Sequence, residues 1–378
     1  MPGELEVTSQ QNVEDSPHLS PDSPGRARNP SLPALTGIRF FAAFYVVLTH
    51  SLPWIKNRVS LPLPIANFLS NGYLAVCLFF LLSGFILSYT YSGLAPGVQN
   101  YAKFWEARFA RIYPVYLFSL LLALPFQFHT LTLKSTVAVL LMVQAWNPLH
   151  PEMSGAWNYP AWSLSVEAFF YLCFPFIQMR IASMSRRAIQ LLGAGALLVC
   201  ILCHTPIQGL GIWNPNAVAP IPIPLPILRF PEFLLGMLMG NYFVRFGSVT
   251  RRPFLALLAI LASILSLSIT AGPWVSIAVL PFVVLLYSLA SSRDAITAFF
   301  SHPVMFLLGG ASYSVYLLQL PVRDWVRSLF SHTTASLKQL NAPLTPVILV
   351  LFSILVFRYL EEPLRRTIRR GLAARLSL

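Results

Sequence analysis

Charge is what this sequence has least of. Only 10% of its 378 residues are Asp, Glu, Lys or Arg, against about 25% in soluble globular proteins, which excludes that class. Cysteine is also scarce: Cys77, Cys173, Cys200 and Cys203 supply neither a disulfide framework nor the spacing of a zinc site. No G-x-x-x-x-G-K-[ST] loop occurs, so nothing suggests an ATP-driven pump. No unit recurs at a fixed period, which leaves a solenoid or an obvious inverted-repeat transporter without support.

What is present is apolar and basic. Hydrophobic residues make up 56% of the chain, and 26 Lys and Arg against 13 Asp and Glu give a net charge of +13. One crossing of a bilayer core needs roughly 20 apolar residues, so the chain has room for about ten. The composition predicts an all-α, polytopic helical membrane protein. A basic groove for nucleic acid needs a water-exposed surface that such a chain largely lacks, so the positive charge is assigned to cytoplasmic loops.

Residues 1–33 differ from the rest. They hold five of the thirteen acids and six prolines, which predicts a disordered cytoplasmic tail; no signal-peptide pattern precedes Leu35. A membrane domain is expected over 34–363 and a basic cytoplasmic tail over 364–378. Spans are expected near 35–55, 72–92, 112–129, 164–180, 188–205, 227–245, 254–271, 274–291, 303–322 and 343–360. The apolar run at 133–147 is read as re-entrant or interfacial, because counting it as a crossing would place the Arg180, Arg186, Arg187 cluster outside. With ten crossings and both termini cytoplasmic, 17 basic residues fall inside and 6 outside, as the positive-inside rule requires.

Ionisable residues inside such spans cost about 2.5–3.5 kcal/mol each on insertion scales, which makes them the first functional candidates. Arg39 and His50 are eleven residues apart, so on one helix they stand about 20° apart in azimuth and about 16 Å apart along the axis. They are read either as a catalytic His with an Arg for an anionic ligand, or as a snorkelling Arg with an interfacial His. Arg108 and Arg111 share a helix face and can grip one phosphorylated group, or serve as positive-inside anchors. Glu167, in Trp162-Ser163-Leu164-Ser165-Val166-Glu167, is expected on the same outer side as His50, where the two can orient each other for acid-base work. The alternative is a helix-start carboxylate bonded to Ser163 or Ser165. Arg229 and Glu232 are read as a mutually neutralising pair. The Ser312-Tyr313-Ser314-Val315-Tyr316 stretch with Gln319 is read as interhelical hydrogen bonding, and Glu361-Glu362-Pro363 as the end of the last span. Cys200-x-x-Cys203-His204 matches the c-type haem pattern, but it lies within an apolar helix and is set aside.

Six of these elements in order resemble the membrane-bound acyltransferase-3 family: Leu35-Thr36-Gly37-Ile38-Arg39 with His50, Gly72 through Ser83-Gly84-Phe85, Arg108-x-x-Arg111-Ile112-x-Pro114, Trp162-Ser163-Leu164-x-x-Glu167, Ser312-Tyr313-Ser314-Val315-Tyr316-Leu317, and Glu362-Pro363. The likeness covers about residues 33–370. It implies O-acylation, usually O-acetylation, of sugars in envelope or exported polysaccharides or glycosylated metabolites, in the inner (plasma) membrane. It also implies a transfer role for His50 with Arg39, acyl-CoA handling by Arg108 and Arg111, and a less settled role for Glu167. Acyl-CoA is then a donor substrate, and no permanent cofactor or metal is expected. Two departures stand out: Thr36 replaces the Asp usual before Gly37, and Gln319 stands where many relatives carry a His. Some relatives add a hydrolase-like domain after the last span, which is not expected here. The rival readings are a lipid or polysaccharide exporter using the same polar seam and a scaffold without activity. The lack of repeats and of broken paired helices counts against the exporter, and a scaffold leaves Arg39, His50 and Glu167 in their costly positions unexplained.

Overall fold

The computed structural model describes residues 29–128, 131–209, 225–247, 254–269, 272–331, 333–334 and 340–375, and no strand occurs among them. Helices account for nearly all of it: α1 (Pro33–Lys56), α2 (Leu63–Ser70), α3 (Ala75–Thr90), α4 (Val98–Gln127), α5 (Leu133–Leu140), α6 (Trp162–Ala182), α7 (Arg186–Gly209), α8 (Pro226–Phe246), α9 (Leu255–Ile269), α10 (Val279–Ser291), α11 (Ala295–Ser301), α12 (Pro303–Ser331), α13 (Asn341–Val356) and α14 (Glu362–Arg375). The chain is a multi-pass helical membrane protein.

Every expected span falls on a helix. Among the described residues, six apolar helical segments are long enough to cross alone, one of them Leu63–Thr90, in which α2 and α3 run through a 3₁₀ turn. A seventh is obtained if Val275–Ser291 and Ala295–Ser301, bent by 83°, form one broken span. Two of the other expected spans differ from these for local reasons. α9 has only 15 residues, and α8 carries Arg229, Glu232 and Arg245. Irregular or charged segments are tolerated at membrane depth where protein rather than lipid surrounds them. The run at 133–147 is not a crossing: α5 has eight residues, about 12 Å of rise against a 30 Å core. Thr132 and Ser135 close its start with reciprocal 3.0 Å bonds.

After α5 the chain folds back into the bundle. Gln144, Asn158 and Ala161 are buried. Asn158 donates to the Leu317 carbonyl at 2.9 Å and to Ser119 Oγ at 3.1 Å. The Trp146 indole donates to the Ser165 carbonyl at 2.8 Å. α6 therefore begins below the bundle surface.

Two glycine contacts seat site-bearing helices closely against their neighbours. A Cβ on Gly84 of α3 would overlap the Phe233 carbonyl oxygen of α8, and one on Gly37 of α1 would overlap the Phe300 carbonyl oxygen of α11. Small residues of this kind let membrane helices pack backbone to backbone. Between α13 and α14, Phe357–Glu361 forms a π-helical turn, a distortion that re-aims the residues following it. Here it leaves Glu361 buried and Glu362 partly exposed.

Most of the expected 1–33 tail lies outside the described residues. Its last part is fixed: Asn29 donates to the Tyr89 carbonyl at 2.6 Å, and the Tyr89 hydroxyl donates to the Pro30 carbonyl at 2.7 Å. The basic segment expected over 364–378 continues as α14 as far as Arg375, with Arg366 and Glu362 paired at 3.3 Å; its last three residues lie outside the described ones.

Candidate active site

A cavity of about 170 Å³ opens between α1, α3, α4, α6 and α12. Its polar lining comprises Thr36, Arg39, Ser83, Arg108, Arg111, Ser163, Glu167, Tyr171, Ser312, Tyr313 and Tyr316. One end lies at Leu35 and Thr36, in the first turn of α1. The other reaches Ser163 and Tyr316, near the start of α6 and the middle of α12.

The cavity gathers arginines that are far apart in sequence. Arg108 and Arg111 are three apart on α4 and turn to the same side. Arg39 enters from α1, within electrostatic range of Glu167 and Arg108. Arg108 lies over the rings of Tyr91 (5.7 Å) and Phe104 (6.0 Å), and its Nε is buried without a hydrogen-bond partner. Arg111 forms an ion pair with Glu361 and stands 5.7 Å from the centre of the Tyr313 ring. Glu361 also accepts from Ser314 Oγ at 3.3 Å.

Glu167 belongs with these arginines. Its Oε1 accepts from Ser83 Oγ at 2.8 Å and from the Tyr171 hydroxyl at 2.5 Å. The expected pairing of Glu167 with His50 does not occur, and neither Ser163 nor Ser165 bonds it: Ser163 donates to the Pro160 carbonyl at 3.0 Å, and Ser165 Oγ accepts from the Ala145 N–H at 3.1 Å. Because α6 begins inside the bundle, its sixth residue lies at the level of Arg39 rather than at the level of His50. With Glu361 counted, three guanidinium groups face two carboxylates, so the cavity keeps one net positive charge when both acids are ionised. A cationic pocket with an unpartnered guanidinium nitrogen suits an anionic group.

His50 does not line this cavity. It sits toward the far end of α1, where its Nδ1 is 2.8 Å from Gln319 Oε1 and its ring meets that of Tyr159 edge-on at 6.3 Å. Gln319 Nε2 donates to the Tyr316 carbonyl at 2.7 Å, and the Tyr316 hydroxyl is 2.9 Å from Ser163 Oγ. Tyr316 is thus shared: its side chain closes the cavity and its backbone carries the link to His50.

Several participants were not singled out from the sequence. Tyr171 is four residues past Glu167, a spacing that places both on one face. In the sequence Glu361 reads only as the end of a span. Cys77 joins the expected Arg229–Glu232 pair (3.1 Å), lying 3.2 Å from Glu232 Oε1 and 3.2 Å from the Arg229 guanidinium. This buried trio stands apart from the cavity lining. Cys200 is buried within α7, and no group of three metal-ligating side chains occurs among the described residues.

The profile of the acyltransferase-3 family, described as an acyltransferase domain, matches residues 32–360. Acyltransferase MdmB of Streptomyces mycarofaciens is 30% identical over 314 residues, covering 77% of this chain and 79% of that protein. O-acetyltransferase OatA of Staphylococcus aureus is 27% identical over 163 residues, 39% of this chain and 24% of that protein. Protein 2 in the picA locus of Rhizobium radiobacter is 38% identical over 89 residues, 23% of this chain and 41% of its own. No solved structure matches.

Proposed function

The chain belongs to the acyltransferase-3 family and is a membrane acyltransferase, and on that premise we propose that it moves an acyl group, of which acetyl is the simplest, from cytosolic acyl-CoA to a hydroxyl of a carbohydrate. The acceptor is a sugar of an envelope or exported polysaccharide or of a glycosylated metabolite, and the enzyme works in the plasma membrane. The observation that carries this reading is the cavity: three arginines converge at one level, and the space continues to Tyr316, one hydrogen-bonded step from the residue that holds His50.

Arg108, Arg111 and Arg39 bind the phosphates of the donor, with Arg108 offering its unpartnered Nε. Charge-assisted hydrogen bonds of this kind contribute about 1.5–3 kcal/mol each. Glu167 fixes the arginine side chains through charge while Ser83 and Tyr171 fix Glu167, so its role is exerted on the donor side. The acyl end extends toward Ser163 and Tyr316. At the far side the imidazole of His50 takes the proton of the acceptor hydroxyl. The oxygen forms its bond to the acyl carbonyl carbon, the carbon–sulfur bond breaks, and the sulfur leaves with the electron pair and takes up the proton that the imidazolium releases, which restores the base. An alcohol and acyl-CoA become an ester and the free CoA thiol.

The test uses membrane vesicles containing the full chain, supplied with isotopically labelled acetyl-CoA and envelope glycans from the same cells. Label appearing in glycan esters, with equal release of CoA, is the expected result. Glycan movement across the membrane without CoA release would favour an exporter.

A further inference from the structure

The hydrogen bonds of Gln319 decide which nitrogen of His50 exchanges a proton. Gln319 is 3% exposed, so its amide has to find its partners within the protein. Its nitrogen donates to the Tyr316 carbonyl oxygen at 2.7 Å. The reverse orientation would set two carbonyl oxygens against each other, so this bond fixes which end of the amide is oxygen. That oxygen faces His50 Nδ1 at 2.8 Å. A carbonyl oxygen only accepts, so Nδ1 carries the hydrogen whether the ring is neutral or charged. Nε2 is left as the atom that gains and loses the proton.

We infer that Gln319 is the positioning residue of His50: it holds the ring in the Nδ1–H form and presents Nε2 to the acceptor hydroxyl. The inference rests on His50 being the base in the proposed transfer. A carboxylate performs the same service in Ser-His-Asp sites, where it also stabilises the imidazolium. An uncharged amide supplies the orientation without that second effect. Around His50 the charged and titratable groups are Arg323 on α12 and Tyr159 in the segment before α6. Neither offers the ring an anionic partner, so the tautomer depends on Gln319.

The experiment is nitrogen NMR of the full chain labelled at histidine in lipid nanodiscs, with the His50 signals identified by their loss in His50→Ala. Kinetics of CoA release from acetyl-CoA run in parallel. In the unmodified protein the Nδ1–H form is expected to dominate. Gln319→Leu is expected to shift the ring toward Nε2–H and to lower kcat roughly tenfold or more, as loss of an oriented base should. The KM for acetyl-CoA should stay within about twofold, since the donor site is untouched. Gln319→Glu retains an accepting oxygen and is expected to restore Nδ1–H and a larger share of kcat than Leu. An Nε2–H ring in the unmodified protein, or a Leu variant with unchanged kcat, would overturn the inference. If the Leu variant does not fold, the unmodified spectrum and the Glu variant decide. His50→Ala retaining full transfer would instead defeat the reading of function, whatever the tautomer.

Discussion

Replacing Glu361 by Gln removes the carboxylate that faces Arg111 while leaving the shape of the side chain almost unchanged. Glu361 is 1% exposed and Arg111 17%, so little water is at hand to replace the lost charge. Breaking a buried pair by removing one partner costs about 3–5 kcal/mol, because the other charge is left uncompensated. Arg111 opens onto the cavity and keeps the Tyr313 ring face, which places the expected loss at the lower end, about 3 kcal/mol. Equilibrium unfolding in mixed micelles, read by tryptophan fluorescence, measures it for Glu361→Gln, Arg111→Gln and the double variant. Each single change should destabilise by about 3 kcal/mol, and the double variant should cost no more than either one alone, a coupling of about 3 kcal/mol. A coupling below about 0.5 kcal/mol, the level at which independent sites add, would refute the pairing. Kinetics give a second, opposite-signed readout: Glu361→Gln makes the cavity more positive and should lower the KM for acyl-CoA or leave it unchanged, while Arg111→Gln should raise it.

Three further outcomes follow from the same geometry. Arg39→Gln and Arg108→Gln should each raise the KM for acetyl-CoA about 10- to 100-fold, the equivalent of one lost charge-assisted hydrogen bond, measured as CoA release. Tyr171→Phe removes the 2.5 Å hydroxyl bond to Glu167 and should raise that KM by less, about tenfold, since Ser83 still holds the carboxylate. Gly84→Leu should abolish a monodisperse peak in detergent size exclusion, because the new side chain meets the α8 backbone, whereas Leu at the open Gly193 position should leave the profile unchanged.

The helices were readable from hydrophobic runs because lipid imposes the same requirement on every span. What the runs did not reveal was which helices lipid touches. α8 carries Arg229 and Glu232 yet packs along α3, where Cys77 meets both side chains, and such a helix does not register as long and apolar. Within the site, Arg39, Arg108 and Arg111 were identifiable because an arginine at membrane depth is costly, and the fold does bring them together. Glu167 was identified as a candidate but assigned to the wrong neighbour. Its depth depends on the segment from Gln144 to Ala161 being buried, a tertiary fact with no periodic signal. Glu361 was missed for a related reason: in a regular helix it reads as one of two acids closing a span, and only the π turn separates its buried environment from that of Glu362. Thr36, in place of the acid usual before Gly37, leaves Arg39 without a neighbour of opposite charge along the chain. Glu167, from a helix more than a hundred residues away in sequence, supplies it.

The most direct test of the central claim is transfer itself. Vesicles containing the full chain receive labelled acetyl-CoA, and glycan esters are quantified by mass spectrometry for the unmodified protein and for His50→Ala. Loss of the base should reduce labelled ester by about 10²-fold or more while the variant elutes as a folded species. Equal labelling by the two proteins would contradict the account.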